Sequence, residues 1–219
     1  MRLLLLTSLA ALLALQGCRI EERTTADLAA SAAPAGSFEN KAFDPTAQVE
    51  SVWGAKVLPE AKARAGELGA LRKAMAANLD AAGAQHGFRE RGPGAPWNMV
   101  ASVKGRIVSV DTESSAGKIG VDVDGDGQAD AEVQIGPIMR GTSIRDSMSF
   151  ISFTSYANQI DFAQLANAFN KKAFNTSLKD LPRDTLKGRE VQLIGVFTTE
   201  DGALMPTITP IELTLGAPQ

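Results

Sequence analysis

VASVKGRIVSV, residues 100–110, is the stretch on which the fold turns. Upstream of Trp97 the apolar residues follow a helical period. From Val100 onward the period is two. The stretch predicts one long strand, and Gly105 near its middle marks a place to bend. Downstream, Ile119, Val121 and Val123 share one face of a second strand over residues 118–123. Ala131, Val133 and Ile135 do the same in a third, so these two form a hairpin around an acidic loop. Residues 138–153 are irregular and polar. Phe162, Leu165, Ala166, Phe169 and Ala173 then mark an amphipathic helix, with Asp161 and Gln164 as candidate caps and an earlier start as the alternative. Residues 191–199 and 204–215 are two more strands, turning at Glu200-Asp201-Gly202. Pro206 and Pro210 place the last strand at an edge or on a bulge. Three strands, a helix and two strands form the element order of an OB-type barrel. The expected fold class is α+β: an OB-like small antiparallel β-barrel with an inserted helix, preceded by an N-terminal helical segment. An antiparallel sheet packed on helices is the alternative.

On the N-terminal side, Asp44-Pro45 is a helix start, with Asp as N-cap and Pro at the first helical position. Val49, Val52, Trp53 and Val57 fall on one face, and Pro59 ends or kinks this helix. Residues 67–84 are rich in Ala and Leu, with Leu68, Leu71, Met75 and Leu79 at helical spacing. RERGPGAPWN, residues 89–98, is a Gly/Pro loop that closes the helical part. The expected division is a helical segment over residues 43–98, packing on the barrel, and an OB-like barrel domain over residues 99–219.

The chain begins MRLLLLTSLAALLALQGC. Arg2 is a positive n-region, residues 3–15 form an apolar h-region too short for a comfortable membrane span, and the small Gly17 follows. This is a secretory signal. Leu15-Gln16-Gly17-Cys18 resembles the bacterial lipoprotein signal, although Gln16 departs from the commoner small or aliphatic residue. The resemblance implies a signal peptide over residues 1–17, with Cys18 becoming the first mature residue and carrying acyl chains such as palmitate. A plain secreted protein with an unpaired thiol is the alternative. Cys18 is the only cysteine, so no intrachain disulfide is available. Residues 18–42 then read as the lipidated Cys and a small, polar tether. Loss of residues 1–17 removes one charge, Arg2, and leaves 21 basic against 25 acidic side chains, a net of −4. A mildly acidic exported chain does not fit nucleic-acid binding, which relies on basic surface. Its expected place is the periplasm, lipid-anchored to the inner or outer membrane.

The acidic loop reads DVDGDGQAD, residues 122–130. Asp122, Asp124 and Asp126 occupy positions one, three and five of a D-x-D-x-D-G frame, with Gly127 at the turn. Gln128 offers its main-chain carbonyl at seven, and Asp130 stands at nine. Hard cations such as Ca²⁺ take six to eight oxygens, which alternating Asp residues in a tight loop can supply. An EF-hand needs a bidentate acid at position twelve, where this chain has Val133, and the flanks read as strands. The loop resembles the strand-flanked D-x-D-x-D-G-x-x-D loops of FG-GAP and related calcium-binding repeats. That resemblance implies a Ca²⁺ site that clips the hairpin. A turn in which Asp and Gly serve backbone geometry alone is the alternative.

A second polar cluster lies in GPIMRGTSIRD, residues 136–146. Arg140, Thr142, Arg145 and Asp146, with Asn158 and Gln159 beyond an apolar stretch, are candidate ligand-binding residues for an anion or a sugar. An Arg–Asp network tying an irregular crossover to the barrel is the competing reading. His86 is the only histidine and reads as a surface or capping residue. With no second His or spare Cys, there is nothing to complete a zinc or nucleophile site. Trp53 and Trp97 read as core anchors between helices and barrel.

VESVWGAKVLP, the long segment from APWNMVASVKGRIVSV to GPIMRGTSIRD, and FISFTSYANQIDFAQL resemble the predicted periplasmic lipoproteins of unknown function found in many bacteria. Members of that family are often encoded beside sugar-type ABC transporters. This implies, by association only, an accessory or ligand-binding role in solute uptake, with an ABC transporter component or a sugar as partner. The leading expectation is a non-enzymatic binding or accessory lipoprotein. A structural envelope lipoprotein making protein–protein contacts comes second, and an envelope glycan hydrolase third, since no catalytic residue stands out.

Overall fold

A computed structural model describes residues 43–90, 94–199 and 205–217. The signal sequence, Cys18, the tether and the turn at Glu200-Asp201-Gly202 lie outside the described residues.

Helix α1, Pro45–Val52, starts as its sequence dictates. Asp44 is extended, and its carboxylate accepts from Ala47 N–H at 2.9 Å. Of the two outcomes expected at Pro59, an end or a kink, the helical run does not end. A π-turn over Trp53–Val57 intervenes, with Leu58 N–H donating to Trp53 O, and α2, Leu58–Arg64, continues from it. The widened turn leaves Pro59 in the first turn of α2, where a missing N–H is tolerated. The Ala/Leu-rich run also divides. Asn78 is extended (φ −160°), ends α3, Leu68–Ala77, and caps α4, Leu79–His86, by accepting from Ala81 N–H at 3.0 Å. The side-chain amide competes with the main chain for hydrogen bonds, which is why Asn suits caps better than helix interiors. Leu68 and Leu71 are buried, whereas Leu79 is exposed.

Two short strands, β1 (Gly66–Glu67) and β2 (Gly87–Phe88), add to the first half of β3, Asn98–Asp111. β3 starts two residues before Val100, because Asn98 already pairs with Thr198. From Asn98 to Arg106 it pairs with β6, Glu190–Thr198; from Arg106 to Asp111 it pairs with β4, Lys118–Asp122. The partners change beside Gly105, where a Cβ would lie 2.1 Å from Asp122 O. A bulge between Ile107 and Ser109 adds local twist. β4 pairs antiparallel with β5, Ala131–Gln134, and β5 runs parallel to β7, Thr207–Leu215. β7 returns antiparallel to β6 and closes the barrel. The result is a closed five-stranded OB-type barrel, β3-β4-β5-β7-β6, with α6, Gln159–Ala173, between its third and fourth strands. Pro210 stands opposite Gly195 at the bulge in the last pair, one of the two places open to a strand proline.

α6 begins earlier than Asp161. Asn158 is its cap, accepting from Asp161 N–H at 2.8 Å. Leu165 and Phe169 are fully buried in one core shared by helices and barrel, and the Trp53 ring lies 6.3 Å from that of Phe169. Each such side chain contributes about 1.5–3 kcal/mol by leaving water. Trp97 is buried against α4. Its indole N–H donates to Asp80 at 2.9 Å, and its face carries the Arg89 guanidinium at 4.1 Å. Both tryptophans are core anchors.

Candidate functional site

Three connections gather at one end of the barrel. The 112–117 loop between β3 and β4 is fastened to the chain leaving β5: Ile135 and Gly136 N–H donate to Gly117 O at 2.9 and 3.0 Å, and Ile138 N–H to Ser115 O at 3.0 Å. A Cβ on Gly136 would lie 2.3 Å from Ser115 O, so glycine permits this approach. The chain entering β7 is tied in by Glu132 N–H donating to Pro206 O at 3.0 Å. Between the three lies a cleft of about 470 Å³. That volume suits a small molecule.

Two buried carboxamides hold the chain beside the cleft. Gln134 accepts from Arg140 N–H at 2.7 Å, and its amide donates to Arg140 O at 3.0 Å and to Thr209 Oγ1 at 2.8 Å. Asn170, on the buried face of α6, donates to Gly141 O at 2.9 Å and Met139 O at 3.3 Å. Gly141 has φ +91°, a conformation that favours glycine. The main chain of residues 139–141 is thus fixed from two sides, while the Arg140 side chain is exposed and lines the cleft. Its guanidinium has no hydrogen bond or ion pair among the described residues. Lys118 also lines the cleft, with Nζ 2.5 Å from Glu132. That hydrogen bond first, then the ammonium charge and the Thr207 hydroxyl, holds the Glu132 carboxyl below its usual range against the effect of burial.

The six candidate ligand residues do not converge. Arg140 lines the cleft; Arg145, Asp146, Asn158 and Gln159 do not. Arg145 is buried, donates to Phe162 O at 2.8 Å, pairs with Asp146 at 2.7 Å and stacks on the Phe162 ring at 3.6 Å. Thr142 donates to the same Asp146. An Arg–Asp network is present, but it ties the short helix α5, Ser143–Asp146, to α6 rather than to the barrel. Asn158 is a cap, and Gln159 is exposed in the first turn of α6. Conversely, the sequence reading missed Gln134, Asn170, Ser143 and Thr209. Asn170 carried a signal, since it shares the apolar helix face of Ala166, Phe169 and Ala173. Gln134 sits on the outward phase of its strand and carried none.

The acidic loop is a hairpin tip. Asp122 is buried and accepts from Gly125 N–H at 2.7 Å and Gly127 N–H at 2.9 Å. Both glycines have φ +86°. Those amide bonds, Gly125 first, hold the Asp122 carboxyl below its ordinary value of 3.8, with desolvation opposing. The folded value lies below the unfolded one, so this stabilisation is present above the ordinary value and is lost as pH falls through the lowered one. Asp130 accepts from Val123 N–H at 2.8 Å and pairs with Arg72 of α3 at 2.7 Å. Oxygens of Asp122, Asp124 and Asp130 lie within 4.8 Å of one another. Asp126 is not in that group: it accepts from the main-chain and side-chain amides of Gln128 at 2.7 and 3.2 Å. Three convergent carboxylates are the hard oxygen set that Ca²⁺ prefers.

A closed five-stranded barrel with one helix between its third and fourth strands, and a cleft between its connecting loops, defines an OB-fold protein. A solved OB-fold protein from Thermotoga maritima is similar at 18% identity and a TM-score of 0.64, over 80% of this chain and 100% of that one. At that identity the likeness carries the fold alone. No curated protein matches the chain. The chain belongs to the family described as "Predicted periplasmic lipoprotein (DUF2291)", which matches residues 8–214. It is a periplasmic lipoprotein, held to the membrane by its lipid.

Proposed function

We propose that this lipoprotein, anchored through Cys18, is a non-enzymatic binding component that holds a small polar solute in the cleft and serves solute uptake of the sugar-type ABC class. The observation that carries the reading is the position of the cleft. It lies at the barrel mouth beside the β3–β4 loop and the entry to β7, the loops with which OB barrels take their ligands. His86 offers little to a glycan hydrolase, since its Nδ1 lies 2.7 Å from Arg64 O. A structural role through protein contacts has one observation behind it, the exposed Phe153 and Ile160 around the start of α6. Native mass spectrometry of the protein released gently from its own membrane tests the leading reading. A retained small molecule supports it; recovery only with a stoichiometric protein and no small molecule supports the structural role instead.

We also propose Ca²⁺ in the hairpin loop, held by Asp122, Asp124 and Asp130, as a structural clip. At extracellular-type affinity, about 10 mM Ca²⁺ adds about 1.4–2.7 kcal/mol to folding. Wild type then melts several degrees higher in Ca²⁺ than in EDTA, and Asp124→Ala shows no such difference. A wild-type Tm that ignores EDTA sinks the clip.

A further inference from the structure

We infer that the cleft takes an organic oxyanion, a carboxylate or a phosphate ester, with Arg140 as its ion partner. The inference rests on reading the cleft as a ligand site and names the chemistry of what enters. The chain as a whole is acidic, yet the charged residues lining the cleft among the described residues are Lys118 and Arg140, both cations. Lys118 is already paired with Glu132. Arg140 is not paired among the described residues, and its position is over-determined. Two buried carboxamides, each able to bond elsewhere only at a cost, are committed to the main chain of residues 139–141. Among the described residues, nothing uses the guanidinium that this segment presents. A planar fork of N–H donors, carried on a fixed backbone that borders a small cleft, matches carboxylate or phosphate geometry. Ser143, Thr207 and Thr209 add polar side chains to the lining. Met205 and Pro206 give it a small apolar wall.

The test is an amide NMR titration of the purified full chain in detergent with three probes: inorganic phosphate, gluconate and glucose. Phosphate or gluconate shifts the amides of Gly141, Ser143 and Thr207, and glucose does not. Arg140→Ala weakens the response about tenfold or more, the scale of one charge-assisted hydrogen bond. Arg140→Lys recovers part of it, and Lys104→Ala, an exposed cation outside the cleft, changes nothing. Tighter phosphate assigns the ligand to the phosphate esters, and tighter gluconate to the carboxylates. A glucose response equal to that of the anions and indifferent to Arg140→Ala overturns the anion inference while leaving the binding function standing. No response at these amides to any probe overturns both.

Discussion

Gly105→Val strains the closure of the barrel and costs about 3 kcal/mol of stability. A Cβ at this position would meet Asp122 O at 2.1 Å, Asp122 C at 2.9 Å and Val121 Cγ1 at 2.9 Å. The first two are main-chain atoms of the neighbouring strand, so no side-chain rotamer relieves the contact. β3 passes from β6 to β4 at this point, and the strand must bend close against β4 to serve both. Overpacking in a core costs about 1–3 kcal/mol, and a clash with fixed main chain belongs at or above the upper end. A loss of about 3 kcal/mol lowers Tm by about 6–12 °C in a domain of this size. The effect travels further, because Asp122 is also the residue whose carboxylate gathers the hairpin loop through Gly125 and Gly127. The same variant therefore loses whatever Ca²⁺ dependence the wild-type melting curve has. Gly54→Ala is the control: nothing lies within 4 Å of its Cβ, so it leaves Tm unchanged or raises it slightly. Urea unfolding of the three proteins measures this. A Gly105→Val unfolding free energy within about 0.5 kcal/mol of wild type would contradict the bend argument.

The long strand and its bend were legible because they rest on local rules. A period of two, a lone glycine and an acidic turn point the same way whatever surrounds them. Asp44-Pro45 was legible for the same reason, since cap and proline act within one turn. Asn78 was misjudged, and Pro59 left between two outcomes, because the local pattern carries two solutions. A π-turn absorbs the proline that would otherwise end a helix, and Leu71, Met75 and Leu79 keep helical spacing straight across a residue that is extended. At the cleft, the roles of the two arginines depend on distant partners. Arg145 is claimed by the carbonyl and ring of Phe162, seventeen residues away in sequence. Arg140 gains its position from Gln134 and Asn170, whose importance appears only when β5, α6 and β7 are folded against one another. Composition tells two arginines apart no better than it tells two buried amides from solvated ones.

Gln134→Leu separates the scaffold of the cleft from its charge. Leucine has nearly the volume of glutamine, so the packing around this buried position changes little. What disappears is three hydrogen bonds: to the N–H and C=O of Arg140, and to Thr209 Oγ1, which also accepts from Ser143 at 3.2 Å. Thr209 is buried on β7 and keeps only Ser143, and the Arg140 main chain loses both of its bonds to the carboxamide. Leaving a buried polar group unsatisfied costs about 1–3 kcal/mol, so the variant loses about 2–4 kcal/mol in all. The segment carrying Arg140 is then held only by Asn170, and the response to phosphate or gluconate falls as far as it does in Arg140→Ala. Arg140→Ala itself behaves differently, because its side chain is exposed and its main-chain bonds survive; its Tm stays within the small range of ordinary surface substitutions. The two variants thus agree in anion response and differ in stability, a pattern that a merely structural Arg140 would not produce. Equal Tm losses in both would mean that the guanidinium holds the fold together, and a Gln134→Leu protein as stable as wild type would mean that the carboxamide does not pin the segment.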